Sequence, residues 1–165
     1  MIITLDLKRL TLNNLFFLDT KRNIIMDGNF TKLVYSNECF VMNGLYVLFP
    51  IEYNGTEKIM NKTQLKFNPY LPSNEALIQE FAKLERRILE YYKQIKQSNK
   101  KTSILLAKQL YVGFMKTNKE NTNMFEQRED TDKKNVHYVI KISGIWETRD
   151  EIGLTYKLFE LYENF

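Results

Sequence analysis

The chain is poor in cysteine and histidine, with one of each among its 165 residues. Cys39 alone cannot form an intrachain disulfide, which indicates a reducing, intracellular compartment such as the cytoplasm or nucleus of a host cell. A zinc site of the Cys/His type is nearly excluded by the same counts. A Ser-His-Asp or Cys-His centre would have to use His137, which has no adjacent nucleophile motif.

Several other patterns are missing from the sequence. No stretch approaches the roughly 18 apolar residues of a membrane-spanning helix, and the first residues lack the features of a signal peptide. Neither of the glycine-rich phosphate-binding motifs, G-x-x-x-x-G-K-[ST] or G-x-G-x-x-G, occurs. We therefore expect a protein that does not bind membranes, has no cofactor or metal, and is not an enzyme.

One acidic cluster keeps an enzymatic alternative open. Its carboxylates are the type of ligand that a Mg²⁺-dependent nuclease uses. Because basic residues are interspersed in the same segment, a solvated loop is the favoured interpretation. The carboxylates are Glu126, Glu129, Asp130 and Asp132.

Composition and charge suggest the class of partner. With 44% hydrophobic and 27% charged residues, the chain is expected to form a single globular domain over residues 1–165. Its 16 asparagines and three alanines indicate an AT-rich genome, typical of a virus or plasmid. The net charge is +4, and residues 83–101 hold seven basic and two acidic residues. This excess could attract a polyanion, although a solvated lysine-rich surface is the alternative.

Hydrophobic periodicity predicts one long amphipathic helix over about residues 74–97, with Ser73 as its N-cap. The apolar stripe could pack on a sheet or form the seam of a helical dimer, so a homo-oligomer stays open. The stripe consists of Leu77, Phe81, Leu84, Ile88, Tyr91 and Ile95.

Strand patterns are predicted on both sides of this helix. They begin at residues 2–7 and continue to residue 53, and they resume at 104–116, 136–146 and 152–161. Residues 54–70 and 118–135 are predicted to be polar loops. This order favours an α+β fold, with a mainly antiparallel sheet or OB-like barrel and the long helix inserted between strands.

The last predicted hairpin contains the sharpest functional signal. If Trp146 pairs with Ile152 and lies on the apolar face, then Lys141 is opposite Lys157, and Ser143 is opposite Thr155. Two opposed lysines are unfavourable in water, and a bound polyanion would remove the repulsion. Phe159 lies beside them and could stack on a base.

Other residues are candidates for the same nucleic-acid surface. Lys108 and Tyr111 would lie on the polar face of the predicted strand 104–116, where the tyrosine could stack on a base. The remaining candidates would contribute only electrostatic attraction, and they are Lys32, Lys96, Lys100 and Lys101.

Three segments resemble a known class of proteins: YSNECFVMNGLYVLFP (35–50), KISGIWETRDEIGLTYKLF (141–159) and the final ELYENF, ending in Phe165. The first two are similar to segments of small OB-fold single-stranded-DNA-binding proteins of DNA viruses and linear plasmids. The third resembles the acidic tails that recruit replication partners in such families, although this tail has only two glutamates. The resemblance implies an OB-type fold, a replication role and replication proteins as partners.

These observations predict a non-enzymatic protein that binds single-stranded DNA, or RNA, with little sequence preference. Lysine–phosphate contacts and aromatic stacking would supply the affinity. The alternative is a protein-interaction or assembly module, such as a viral accessory factor, that uses the heptad face of the helix or the 118–135 loop.

Overall fold

The computed structural model describes residues 3–25, 27–119 and 136–162. It contains ten strands in a mostly antiparallel sheet and two α-helices, which is an α+β fold with one long helix between strands. The strands are β1 (Leu15–Arg22), β2 (Asn29–Ser36), β3 (Val41–Met42), β4 (Leu45–Leu48), β5 (Tyr53–Ile59), β6 (Lys62–Phe67), β7 (Lys101–Ser103), β8 (Phe114–Lys119), β9 (Val136–Glu147) and β10 (Glu151–Tyr162). The helices are α1 (Pro72–Lys96) and α2 (Leu105–Val112), and two short 3-10 helices span Leu7–Arg9 and Leu12–Asn14.

The strand order along the sheet is β1-β2-β9-β10-β8-β6-β5. The long strand β9 pairs with β2 near its C-terminal end and with β4 nearer its N-terminal end. Strand β10 runs antiparallel to β9 and parallel to both β7 and β8. The last hairpin is therefore the centre of the sheet. Its two strands pair directly with β2, β4, β7 and β8.

Helix α1 confirms the predicted helix, because its apolar residues recur with the period of an α-helix. Phe81, Leu84 and Ile88 of the predicted stripe are buried, whereas Ile95 is half exposed. The N-cap is Leu71 and not Ser73, whose hydroxyl donates to Glu52 instead. Proline at the first helical position replaces a side-chain cap, since its missing N–H needs no partner there.

The strand predicted over residues 104–116 is wrong, because this segment forms helix α2 followed by the start of strand β8. A short apolar run does not distinguish a buried helix from a buried strand by periodicity. The buried carboxylate of Glu85 on α1 accepts hydrogen bonds from the N–H groups of Leu106 and Ala107, at 3.0 and 2.8 Å. This distant cap satisfies the first turn of α2, and Gly113 ends the helix at φ 86°.

Two other predicted elements are also wrong. Residues 54–70 include most of the β5–β6 hairpin, in which β5 is exposed along nearly its whole length and only Leu65 and Phe67 of β6 are buried. Near the N terminus, the described residues contain a single bridge from Leu5 to Val47 and a 3-10 helix in place of a strand over 2–7. The predicted loop 118–135 lies outside the described residues, except for 118 and 119 at the end of β8. The last three residues of the acidic tail lie outside them as well.

Candidate nucleic-acid interface

The central strands present one face to α1 and the opposite face to solvent. Thr31 marks the helix side, because it is fully buried and its hydroxyl lies 3.0 Å from the Tyr92 hydroxyl on α1. Side chains alternate along a strand, so its neighbours Phe30 and Lys32 lie on the other side. We call this side the outward face; its central residues are Phe30, Lys32, Tyr46, Lys141, Trp146, Lys157 and Phe159.

The predicted lysine pair is confirmed, since Lys141 and Lys157 are directly opposite each other in the β9–β10 ladder. Tyr46 of β4 lies on the other side of Lys141, and the lysine ammonium is 5.0 Å from the centre of the tyrosine ring. This cation–π contact holds Lys141 over an aromatic ring, whereas Lys157 is exposed. The row therefore combines two positive charges and one ring.

A second row places two aromatic residues on neighbouring strands. Phe30 of β2 is paired with Trp146 of β9. The Phe30 ring lies over Gly144 of β9, and the Trp146 ring lies over Gly153 of β10. A Cβ at Gly144 would lie 2.7 Å from Cζ of Phe30, and a Cβ at Gly153 would lie 2.8 Å from Nε1 of Trp146. Both rings thus lie close against the backbone of the neighbouring strand, and they form an aromatic surface on the outward face of the sheet.

The position of Trp146 corrects the predicted register. The ladder pairs Lys157 with Lys141 but Thr155 with Gly144, so Ser143 is an extra residue, a β-bulge, and has no partner opposite it. The bulge shifts the alternation by one. Trp146 consequently pairs with Gly153 and not with Ile152, and it lies on the outward face instead of the apolar face. Thr155 is likewise opposite Gly144, not Ser143.

The structure places Phe159 and Lys32 on the outward face with the lysine pair. Phe159 is paired with Val139 on one side and with Asn118 of β8 on the other. Lys32 is opposite Gly144 and exposed. Four of the predicted site residues therefore share one surface.

The remaining predicted residues lie elsewhere. Lys108 and Tyr111 belong to α2, which packs against α1 on the helix side of the sheet, so the strand position predicted for Tyr111 is wrong. Lys96 is at the end of α1, and Lys101 begins the short strand β7. Lys100 forms an ion pair with Glu147 at 2.6 Å and also donates to the Thr148 carbonyl.

A chain of hydrogen bonds, buried at its centre, fixes the end of β9 next to Phe30 and Trp146. Tyr92 donates its hydroxyl hydrogen to Glu147 at 3.0 Å, so Thr31 must donate to Tyr92 and Thr20 to Thr31. Burial raises the pKa of Tyr92, and the neighbouring Glu147 carboxylate raises it further. The phenol is therefore neutral at ordinary pH and stays a donor.

Sequence reasoning missed two further basic residues and the role of the aromatic pair. Lys21 of β1 is opposite Phe30, and Lys116 of β8 lies on the same side as Asn118 by strand alternation. The signal for the aromatic pair is the presence of Gly144 and Gly153 inside otherwise apolar strands. Such glycines indicate a bulge or a close approach of another group.

Within the three described ranges, no cluster of three His, Cys, Asp or Glu side chains could hold a metal ion. The acidic cluster at 126–132 lies outside those ranges. Neither α1 nor α2 is long and apolar enough to cross a membrane. Cys39 is a free, exposed thiol.

Comparison with known proteins assigns neither a family nor a function to this surface. No family model, no curated protein and no solved structure matches the chain.

Proposed function

We propose that this protein binds single-stranded nucleic acid on its outward face and has no catalytic activity. The observation that carries the proposal is the row formed by Phe30 and Trp146, two rings on neighbouring strands that lie low on an otherwise lysine-rich sheet surface. Flat rings on a sheet are suited to stacking on unpaired bases, and stacking is independent of base identity.

Phosphate contacts would come from lysines on both sides of this row. Lys21 and Lys32 lie on the β1–β2 side, and Lys141 and Lys157 lie farther along β9 and β10. Neutralising phosphates releases counterions, so the affinity should fall steeply with salt. Each stacked base would contribute about 1–3 kcal/mol.

Mutual repulsion of Lys141 and Lys157 supports the same proposal. Like charges directly opposite on a sheet destabilise the pair, and no carboxylate among the described residues forms an ion pair with either lysine. A phosphate between them would relieve this cost. The cation–π contact with Tyr46 already compensates one lysine but not the other.

The biological setting that we propose is replication of an AT-rich viral or plasmid genome, with single-stranded DNA, or RNA, as the ligand and replication proteins as partners. Composition and the resemblance of residues 35–50 and 141–159 support this setting. A test of DNA against RNA oligonucleotides of equal length would decide between the two ligands, because a 2′-hydroxyl is the only backbone difference to be read.

Fluorescence anisotropy of a labelled oligo(dT) of about 30 nucleotides tests the function directly. We expect the affinity to fall steeply between low and physiological salt. Duplex DNA should be a poor competitor for the labelled oligonucleotide. The variant K141E/K157E should bind much more weakly, whereas K83E/R87E, a control with the same charge change on α1, should bind like the wild type. Absence of binding at low salt would refute the proposal.

Exposed apolar hairpin tips favour the alternative of a protein-interaction module. Ile24 and Ile25 at the β1–β2 turn are 99% and 93% exposed, and Met60 at the β5–β6 turn is 91% exposed. The predicted heptad stripe, in contrast, is largely buried in the chain's own core. Light scattering of the wild type and of I24S/I25S tests this alternative, which requires an oligomer that the variant loses.

A further inference from the structure

A third lysine continues the row that Lys141 and Lys157 begin on the outward face. Lys157 comes directly before Leu158 on β10. Lys116 comes directly before Thr117 on β8, and Thr117 is the partner of Leu158 in a parallel ladder. Leu158 and Thr117 are buried, so the two lysines before them point outward and lie about one strand spacing, 4.8 Å, apart. We call the three lysines on β9, β10 and β8 the lysine row.

The lysine row carries three positive charges that no carboxylate compensates. Among the described residues, none of the three lysines forms an ion pair. The row ends at Tyr46 on the β4 side, and on the β6 side it ends at the uncharged Gln64, the partner of Lys116. Like charges on neighbouring strands repel one another, so this row favours a ligand with several negative charges.

Each strand of the lysine row also presents an aromatic ring on the outward face. On β9 the Phe30 ring covers Gly144, and on β10 the Trp146 ring covers Gly153. On β8 the ring is that of Phe114, which is 40% exposed. Phe114 lies two residues before the lysine of the same strand and therefore shares its face. The three strands thus repeat one combination, a ring and a lysine.

The three rings lie on the same side of the lysine row. On β9 the covered glycine follows the lysine in sequence, whereas on β10 the covered glycine precedes it, as Phe114 precedes Lys116 on β8. Because β9 runs opposite to β10 and β8, all three rings are displaced from the lysines toward the same end of the sheet. The displacement along the strand is about 7 Å on β8 and β9 and about 13 Å on β10.

We infer that Phe114 and Lys116 form a binding unit for a third nucleotide, beside the two units on β9 and β10, and that the bound single strand crosses the sheet from β9 to β8. In each unit a base stacks on the ring and a phosphate contacts the lysine. The common displacement of the rings allows the backbone to follow the lysine row while every base points to the same side. The inference rests on the proposed function, and it extends the binding surface from the central hairpin to β8.

The test measures the affinity for oligo(dT) over a range of salt concentrations for the wild type, K116Q, F114L and the control K119Q. Lys119 is exposed on the same strand, but it is paired with the buried Glu160 and faces the helix side of the sheet. The control should keep the wild-type affinity and salt dependence.

The two variants should differ in their response to salt. We expect K116Q to bind about fivefold more weakly at about 0.1 M salt, and its slope of log K against log salt to be shallower by about 0.7, the value for one phosphate. F114L should also bind about fivefold more weakly, but with an unchanged slope, because stacking on a ring releases no counterions. K116R and F114Y, which keep the charge and the ring, should bind like the wild type.

Different outcomes separate this inference from the proposed function. If the wild type binds with a steep salt slope and both K116Q and F114L behave like K119Q, the unit on β8 is wrong and the function stands. A loss in only one of the two variants also overturns the unit, since it needs both a ring and a lysine. A loss in F114Y equal to that in F114L would show that the ring does not stack. If the wild type does not bind, the unit and the function are both wrong.

Discussion

Lys141 and Lys157 lie directly opposite each other on β9 and β10, and Tyr46 on β4 contacts only the first of them. The two lysines are therefore not equivalent. Lys141 is partly buried over a ring, whereas Lys157 is exposed and experiences the repulsion without compensation. This difference allows the energetic cost of the pair to be separated from its contribution to binding.

The variant K157E should stabilise the free protein while it weakens binding. An opposite-charge pair across strands is favourable by about 0.2–1 kcal/mol, and the wild-type pair is unfavourable by a similar amount. Urea denaturation should therefore show a higher free energy of unfolding for K157E, and the double variant K141E/K157E should lose that gain because like charges face each other again. A K157E protein that is no more stable than the wild type would contradict this interpretation.

Trp146 should report binding through its own fluorescence. It is the single tryptophan in the chain, so the intrinsic emission has one source. If bases stack on the indole, saturating oligo(dT) should strongly quench this emission, and the quench should follow the anisotropy isotherm. For K141E/K157E we expect a weaker affinity but the same quench at saturation. Full binding without any change in emission would show that the strand does not stack on Trp146.

Gly153→Ala should disturb the aromatic row with only a modest effect on the fold. The new methyl group would lie 2.8 Å from Nε1 of Trp146, so the indole must tilt away from the sheet. We expect a loss of about 1–3 kcal/mol in the free energy of unfolding, a red-shifted tryptophan emission and easier quenching by acrylamide. The matched variant T155A, one position along the same face, should leave the emission unchanged.

The Glu85 cap predicts a measurable stability change. Glu85→Ala removes the acceptor of the Leu106 and Ala107 N–H groups, and leaving buried donors unsatisfied should cost about 1–3 kcal/mol. Glu85→Gln keeps one carbonyl oxygen as an acceptor and should cost less. Equal losses for the two variants, measured by urea denaturation, would show that the hydrogen bonds to α2 are unimportant.

Glu85 also predicts a direction for the pH dependence. Burial raises the pKa of this carboxyl above its ordinary value of 4.5, although the two N–H groups oppose the shift. The folded state therefore favours the neutral form, and the contribution of Glu85 to stability is full below pH 4.5 and is lost as pH rises through the raised pKa. The stability of the wild type relative to E85Q should accordingly decrease over that interval, and an increase would contradict the shift.

Sequence reasoning succeeded where side-chain periodicity has one explanation. The spacing in α1 fits only a helix of that length. The pairing of Lys141 with Lys157 was predicted from a pairing of Trp146 with Ile152 that is wrong by one residue, and it is correct because the bulge at Ser143 takes up that shift. It failed for α2, because eight residues of an apolar run fit either a helix or a strand. It also failed for the β5–β6 hairpin, since β5 is exposed on both faces and only Leu65 and Phe67 of β6 enter the core, which leaves too short an alternation to detect.

The candidate site shows a second limit of local patterns. Phe30 and Trp146 are far apart in the chain, and their proximity depends on the pairing of β2 with β9, which no local pattern specifies. The face of Trp146 was predicted incorrectly because one unpaired residue, Ser143, changes the alternation after it. Gly144 and Gly153 were visible signals, and they mark the two places where the aromatic rings need room.

The bulge at Ser143 divides β9 into two halves of opposite phase. In the first half even-numbered residues such as Ile140 and Ile142 face the core, and in the second half the odd-numbered Ile145 does. If Ser143 were instead paired in a regular ladder, the indole of Trp146 would face the interior and the side chain of Ile145 would face the surface, with no amino acid changed. A single backbone insertion thus decides which half of the strand's chemistry is available to a ligand.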